Sequence, residues 1–377
     1  QCVVRLKMPR EGSVTVQDLV RGEVTFDWAR EQDHVVQRAD GTCLYHLASV
    51  VDDYDFQISH VIRAEEHLSN TPRQIFIAQS LDYPLPVYAH LPFVAEPGSK
   101  NKLSKRKLDK YLKNADFARV NEHGLAIAKA IGLTTSADTF NPVIVDFYEQ
   151  VGYLPEAILN YLLLIGWSYD DKREYFSRDE MIAEFSLERV TKGAASFDPK
   201  KLSAFQDHYM QLVPLKQKVA SMLPYLQKAG LVTVPPPCSI SDRLTAIIEA
   251  AGDRIKVRGD ILDYRTFFVP AEQVQYDSAA LDKRITKPAE AAGLLTKFQD
   301  TLRTVEPFDA PALETALKQF VAEQGIQNSQ IIHALRVAVT GTTVGFGLFE
   351  SLAILGRDEC LARIDRALKL ATTVPVT

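Results

Sequence analysis

Hydrophobic and polar positions change period twice along this chain. Up to about residue 47 they alternate as in short antiparallel strands: Val3 to Lys7, Glu23 to Trp28 and His34 to Arg38. Asp40-Gly41 then supplies a hairpin turn before a further strand from Thr42 to Leu47. The opening stretch reads as a strand already under way, which predicts a chain that begins inside a domain. Next, Val50-Val51 before Asp52-Asp53, followed by Ile58 and Val61-Ile62, reads as apolar strands ending at polar loops, the pattern of an α/β layer. Ser69-Asn70-Thr71-Pro72 is a helix start, with a capping side chain, a proline in the first turn and apolar Ile75, Ile77, Ala78 and Leu81 behind it. Pro97-Gly98 breaks regular structure and predicts a flexible connection from Glu96 to Arg106.

From Pro142 onward the period becomes helical. Pro155 opens a helix whose apolar face is Ile158, Leu159, Tyr161, Leu162 and Ile165, closed by Gly166. Leu202, Phe205, Tyr209 and Leu212 continue the pattern, and Val234-Pro235-Pro236-Pro237 marks an expected boundary. The remainder reads as a helical bundle. Pro311 leads Leu313, Leu317, Phe320 and Val321 to Gly325, Asn328 leads Ile331, Leu335 and Val339 to Gly341, and Asp358 leads Leu361, Ile364 and Leu368. No fixed-period repeat suggests a solenoid.

Composition narrows the class. At 377 residues, 46% hydrophobic and 24% charged, the chain can hold two or three globular domains and is not a disordered segment. Its net charge of −5 excludes a surface coated with cations for nucleic acid but leaves room for a local basic patch. Lys100, Lys102, Lys105, Arg106, Lys107, Lys110 and Lys113 form such a patch, opposed only by Asp109. Cys2, Cys43, Cys238 and Cys360 are scattered, with no spacing for zinc or a disulfide framework, which fits a reducing compartment. The longest apolar run, around Leu159 to Trp167, is too short for a bilayer, and a cytoplasmic protein is expected.

The candidate chemistry centres on Asn101-Lys102-Leu103-Ser104-Lys105-Arg106. Two lysines three apart in a cationic loop suit a polyphosphate whose charge grows during reaction, although the same spacing also arises in solvated basic loops. Asp52 and Asp53 fit either a metal or general-base site or a polar strand end, and no partner carboxylates at motif spacing support the first. None of the 8 histidines forms His-Glu-x-x-His, and no Gly-x-Ser-x-Gly elbow is present.

Several further stretches stand around this loop in a definite order. Upstream are Tyr45 to Asp53, His60-Val-Ile-Arg63 to His67, Thr71-Pro-Arg-Gln74 and Val87-Tyr-Ala-His-Leu-Pro92. Downstream are Gly152 to Leu162 and Gly166-Trp167-Ser168. In that order the chain resembles the glutamyl-tRNA synthetase family of class I aminoacyl-tRNA ligases, with Lys102 to Arg106 matching its second signature loop. The stretch Ala334 to Gly341 followed by Leu352 to Gly356 is similar to the family's closing motif.

The resemblance implies a specific set of roles. Lys105 and Lys102 would be the catalytic cations. Leu103, Ser104, Arg106 and Glu66 would join them around ATP, which enters with Mg2+, and no protein-bound zinc or other metal is expected. Arg63 would take the side-chain carboxylate of L-glutamate, because a planar fork gives bidentate recognition; an ion pair with Glu65 or Glu66 is its alternative. Tyr45, Ser49 and His67 would line the same pocket, Ser49 and His67 standing where some members carry Asn and Trp. Arg336, Arg357 and Arg363 could meet phosphates of the tRNA, or lie on a solvated helix face.

The implied architecture is α/β followed by mainly α. Residues 1–44 would be the β-rich end of an acceptor-binding insertion, and 45–115 the second half of a Rossmann-type catalytic domain. An inserted helical element with the stem-contact domain would follow in 116–239, and a helical anticodon-binding domain in 240–377. The family's first signature, His-x-Gly-His, is absent: His123-Gly124 is followed by Leu and Ala. The reading is therefore a glutamate–tRNA ligase chain, monomeric, acting on tRNA(Glu) and not on DNA, and inactive alone. The alternative is a non-catalytic tRNA-binding module.

Overall fold

In the computed structural model, which describes residues 2–373, the chain divides into two compact units. One combines Gln1–Val120 with Pro155–Phe205, the other Asn121–Leu154 with Gln206–Thr377. The positions 44 and 239 expected as boundaries fall inside these units, whereas 115 lies close to the break after Val120. Strands on both sides of residue 44 share one sheet, and the helices Leu215–Lys228 and Ile240–Ala251, on either side of the prolines at 235–237, pack together.

The first unit holds strands β1 (Val4–Leu6), β2 (Ser13–Asp18), β3 (Gly22–Asp27), β4 (His34–Gln37), β5 (His60–Ala64) and β6 (Val87–Leu91). β1 pairs with β4, while the other four form a sheet in the order β3-β2-β6-β5. β2 and β3 are an antiparallel hairpin, and β6 runs parallel to both β2 and β5. Parallel neighbours need a crossover. Helix α2 (Thr71–Ser80) supplies it between β5 and β6, starting at Thr71-Pro72 as its sequence predicts. Asn70 does not cap it; its side chain meets His67 instead.

Two expectations fail here for one reason. Thr42 to Leu47 and Val50-Val51 were expected as strands, yet helix α1 (Tyr45–Asp55) takes the second half of the first and the whole of the second. Leu47, Val50, Val51 and Tyr54 recur at helical spacing, and Val50 is buried against Val36, Ile77 and Ala78. The adjacent β-branched pair imitates a short strand, but packing on α2 favours the helix. Asp52 and Asp53 consequently lie on α1 and not at a strand end.

The connection from Glu96 to Arg106 is a hydrogen-bonded hairpin, not an open flexible segment. Ala95 pairs antiparallel with Lys102, the Leu103 N–H donates to the Val94 carbonyl (2.9 Å), and the Glu96 N–H donates to Asn101 (2.8 Å). Ala95 also bonds to residues 195 and 197, which tie the hairpin from its other side. Gly98 makes the turn at φ +68°, a conformation that side chains with Cβ rarely adopt.

The second unit is helical. The helices Ala291–Thr304, Ala310–Glu323, Ser329–Thr340, Leu348–Leu355 and Arg357–Thr373 surround a core that includes Leu295, Phe298, Leu313, Leu335, Leu352 and Ile364. Their starts and stops follow the sequence: Asp309 caps one, and Gly341 ends another at φ +81°. Within this unit His123 sits 2.7 Å from the buried Asp260, and the Cα of Gly124 packs so closely that a Cβ there would lie 2.3 Å from Phe147.

Candidate active site

The carboxyl ends of β5 and β6 place Arg63 and His90 in fixed relation, where parallel α/β sheets bind ligands. Arg63 and His90 are register partners on the two strands. The Arg63 Nε–H donates to His90 Nε2 (3.0 Å), and its Nη2–H donates to Thr71 Oγ1 at the start of α2 (2.9 Å). The guanidinium also lies 5.8 Å from the Tyr88 ring, whose hydroxyl is pushed up to about 12 by burial. Arg63 forms no ion pair among the described residues. Glu65 pairs with Arg21, and Glu66 pairs with Lys102, so neither neighbour realises the alternative role considered for Arg63. Arg63 is half-buried, its hydrogen-bond partners are neutral, and a guanidinium so placed suits a planar external anion.

The Lys102–Glu66 pair joins the signature hairpin to the end of β5. His67 stands beside it, its Nε2 3.8 Å from Glu66. Ser104 donates its N–H to Tyr111 Oη (3.0 Å), and the half-buried Leu103 is held by its bond to Val94. Lys105 and Arg106 are exposed at the start of a short 3-10 turn and make no ion pair among the described residues.

Tyr45 and Ser49 occupy successive turns of α1 on one face, Tyr45 exposed and Ser49 half-buried. Asp53, one turn further, has its carboxyl raised by burial and by Asp52, against the lowering charge of Arg63. His46 is lowered by burial and by the charges of Arg73, His34 and Arg63. α1 thus runs within electrostatic reach of Arg63, although no direct contact joins Tyr45, Arg63 and Lys105 among the described residues. Nor do these residues contain a group of three or more His, Cys, Asp or Glu side chains that could hold a metal ion.

Sequence reasoning missed three supporting groups. His90 lay inside the quoted Val87 to Pro92 stretch without a role. Asp18 ends β2, a strand whose alternation Ser13-Val-Thr-Val-Gln17 was legible but unread. Glu96 is fully buried and meets Lys107 (3.4 Å) and Lys110 (3.1 Å), anchoring the far side of the signature hairpin.

Of the arginines expected on tRNA, Arg363 requires correction. Arg363 has no exposed surface, and its guanidinium donates to the carbonyls of Val339, Thr266 and Val269, each at 2.8 Å, and pairs with Glu359. It is a core strut and cannot reach a ligand. Arg336 donates to the Phe346 carbonyl (2.7 Å), and Arg357 pairs with Glu306 (2.6 Å), but both keep part of their side chain exposed. Helical spacing alone could not distinguish an inward from an outward arginine.

This nucleotide-type site with a helical unit carried on the same chain has clear relatives. Residues 1–139 and 139–204 match the model of the class I tRNA synthetases (E and Q), catalytic domain, and residues 217–368 match an anticodon binding domain. The latter begins ahead of the boundary expected at 240. A glutamate–tRNA ligase of Moorella thermoacetica is 39% identical over 367 residues, covering 97% of this chain and 68% of its own length. One from Desulforudis audaxviator is 36% identical, with coverage of 97% and 66%. The crystal structure of a glutamate tRNA ligase from Elizabethkingia meningosepticum in complex with its amino acid superposes with a TM-score of 0.76 at 26% identity, covering 97% of this chain and 68% of that one. The chain belongs to the glutamate–tRNA ligase family of class I tRNA synthetases, and it spans about two thirds of the length of these relatives.

Proposed function

We propose that this chain supplies the glutamate fork, the ATP-facing lysines and the tRNA-reading unit of a glutamate–tRNA ligase. The observation that carries the reading is Arg63, a half-buried guanidinium oriented by His90 and Thr71 with no carboxylate partner among the described residues. It would take the side-chain carboxylate of L-glutamate, with Tyr45, Ser49 and His67 lining the pocket. Activation requires the other carboxylate to attack the α-phosphate of ATP, so two anions must approach. Lys105, exposed and without an ion pair among the described residues, would stabilise the charge developing on phosphate, with Lys102 beside it. Lys102 would exchange its Glu66 partner for the nucleotide, while Leu103, Ser104 and Arg106 line the nucleotide; Mg2+ enters with ATP as part of the substrate.

In the second unit a cavity of about 660 Å³ is lined by Arg254, Arg265, Tyr264 and Phe346, among others. Arg265 is exposed, and its neighbour Tyr264 stacks on Phe346 with ring centroids 5.5 Å apart. Tyr264 and Phe346 are buried walls of this cavity, so the exposed Arg254 and Arg265 would meet phosphates of the tRNA, together with the half-buried Arg336 and Arg357, while Arg363 is withdrawn as a contact. The partner is tRNA(Glu), and the protein is a cytoplasmic monomer.

ATP–pyrophosphate exchange with glutamate and tRNA, measured on this chain and on one extended at its N-terminus to the relatives' length, tests the reading. Exchange by the extended chain that Arg63→Gln abolishes is the expected result. Tight tRNA binding without exchange in either chain would establish the non-catalytic module instead.

A further inference from the structure

Asp18 is a buried carboxylate that glutamate, ATP and tRNA leave unused. Its side chain and that of His90 have no exposed surface. Asp18 Oδ1 accepts the N–H groups of Val20 (3.0 Å), Arg21 (2.8 Å) and His90 (3.1 Å), while Oδ2 lies 2.6 Å from His90 Nδ1. Burial alone would raise this carboxyl, but the bonds from Arg21, His90 and Val20 outweigh it and hold Asp18 below the usual carboxylate range. An ionised carboxylate can only accept, so the proton between the two side chains belongs to His90 Nδ1. His90 Nε2 must then be bare in the neutral ring, and it is this atom that accepts from Arg63 Nε. Burial lowers the imidazole against the opposing pull of Asp18, and the charges of Arg63 and Arg21 add to the lowering.

The consequence appears at the guanidinium. Its Nε–H and one Nη2–H, which share an edge, are spent on His90 and Thr71. The opposite edge, Nη1–H with the second Nη2–H, presents a parallel pair of donors matched to a carboxylate. An arginine side chain without such a clamp must give up rotamer freedom when it binds its anion. We infer that His90, fixed by Asp18 with its proton on Nδ1, is the positioning residue that presets Arg63 for the side-chain carboxylate of glutamate. This inference rests on the reading of Arg63 given above. It also ties the β2–β3 hairpin to the amino-acid pocket, because Asp18 ends β2, and Arg21 in the same turn bonds to the His90 carbonyl (3.1 Å) and pairs with Glu65.

Two substitutions separate aiming from mere packing. In His90→Asn the shorter amide can stand where Nδ1 stands, keeping Asp18 satisfied while removing the acceptor for Arg63. In His90→Gln the amide reaches the place of Nε2 and can offer its oxygen to Arg63. Glutamate affinity is measured by calorimetric titration of the wild-type chain, both variants and Arg63→Gln, alongside thermal unfolding and the imidazole nitrogen shifts of the wild type. The expected result is a loss of at least about tenfold in His90→Asn, a much smaller loss in His90→Gln and similar unfolding midpoints for the two. The spectrum should show a protonated Nδ1 and a bare Nε2 at neutral pH. Equal affinities in the two His90 variants, or a proton on Nε2, overturn the inference while the reading of Arg63 stands. Glutamate binding that is missing in the wild type, or unchanged in Arg63→Gln, overturns that reading and the inference with it.

Discussion

The ammonium of Lys110 lies 3.1 Å from the carboxylate of Glu96, a side chain with no exposed surface. Burial pushes this carboxyl up, but hydrogen bonds from Lys110 and Asn101 and the charges of Lys107 and Lys110 prevail, and its pKa falls from 4.5 to about 2. A group depressed on folding stabilises the native state above its unfolded pKa and loses that contribution as pH falls through the folded one. The window here runs from 4.5 down to about 2. Wild type and Glu96→Gln should therefore differ in thermal midpoint at neutral pH and converge across that window. A constant gap down to the acid limit would mean that the carboxylate is not the charged anchor of the signature hairpin.

Lys105 offers the opposite case, since it is exposed and without an ion pair among the described residues. Lys105→Ala should leave stability within about 0.5 kcal/mol of wild type. In the N-terminally extended chain it should reduce exchange by about a hundredfold, the scale of one lost transition-state donor. The affinity for tRNA should change far less. Equal losses in turnover and tRNA affinity would assign Lys105 to RNA binding instead.

What could be read from the sequence depended on how local the determining contacts are. The α2 start at Thr71-Pro72 and the stop at Gly341 were legible because capping and backbone conformation act over a few residues. The family was legible through the order of the signature stretches along the chain. The clamp on Arg63 was not, because Asp18 and His90 lie 72 positions apart and meet only when β2 and β6 become neighbours. Glu96 was hidden likewise, as a single acid ahead of a turn gives no sign that it will be buried under two lysines. Helix α1 was misread because Val50-Val51 satisfies both periods locally, and its packing on α2 decides between them.

Arg363 and Arg265 should behave as opposites. Arg363 is buried, and its guanidinium holds three carbonyls and Glu359, so Arg363→Ala leaves several acceptors without a donor. A loss of about 3–5 kcal/mol is expected in denaturant unfolding. Arg265 is exposed at the cavity beside Tyr264, and Arg265→Ala should weaken tRNA binding with little change in stability. Filter binding at two salt concentrations checks the second half: the salt slope should fall by about one for Arg265→Ala if the guanidinium meets a phosphate. An unchanged affinity would move the RNA contact away from this cavity.

Gly341 carries two constraints at once. It ends the helix Ser329–Thr340 at φ +81°, where its N–H donates to the Val337 carbonyl. A Cβ added there would also meet the Gln275 carbonyl oxygen at 2.3 Å. The left-handed conformation alone costs a residue bearing Cβ about 1–2 kcal/mol, and relieving the backbone contact requires the segment at Gln275 to shift. That segment leads into Asp277, whose N–H donates to the Gly341 carbonyl at 2.9 Å, so the shift would strain a bond the two stretches share. Gly341→Ala should therefore destabilise by more than 2 kcal/mol, on the order of the backbone term with added overpacking. Gly293, also in the second unit, has nothing within 4 Å of the built Cβ, and Gly293→Ala should be neutral or stabilising. Denaturant midpoints of the two variants check the comparison, and equal shifts would show that the close approach at Gln275 does not constrain this turn.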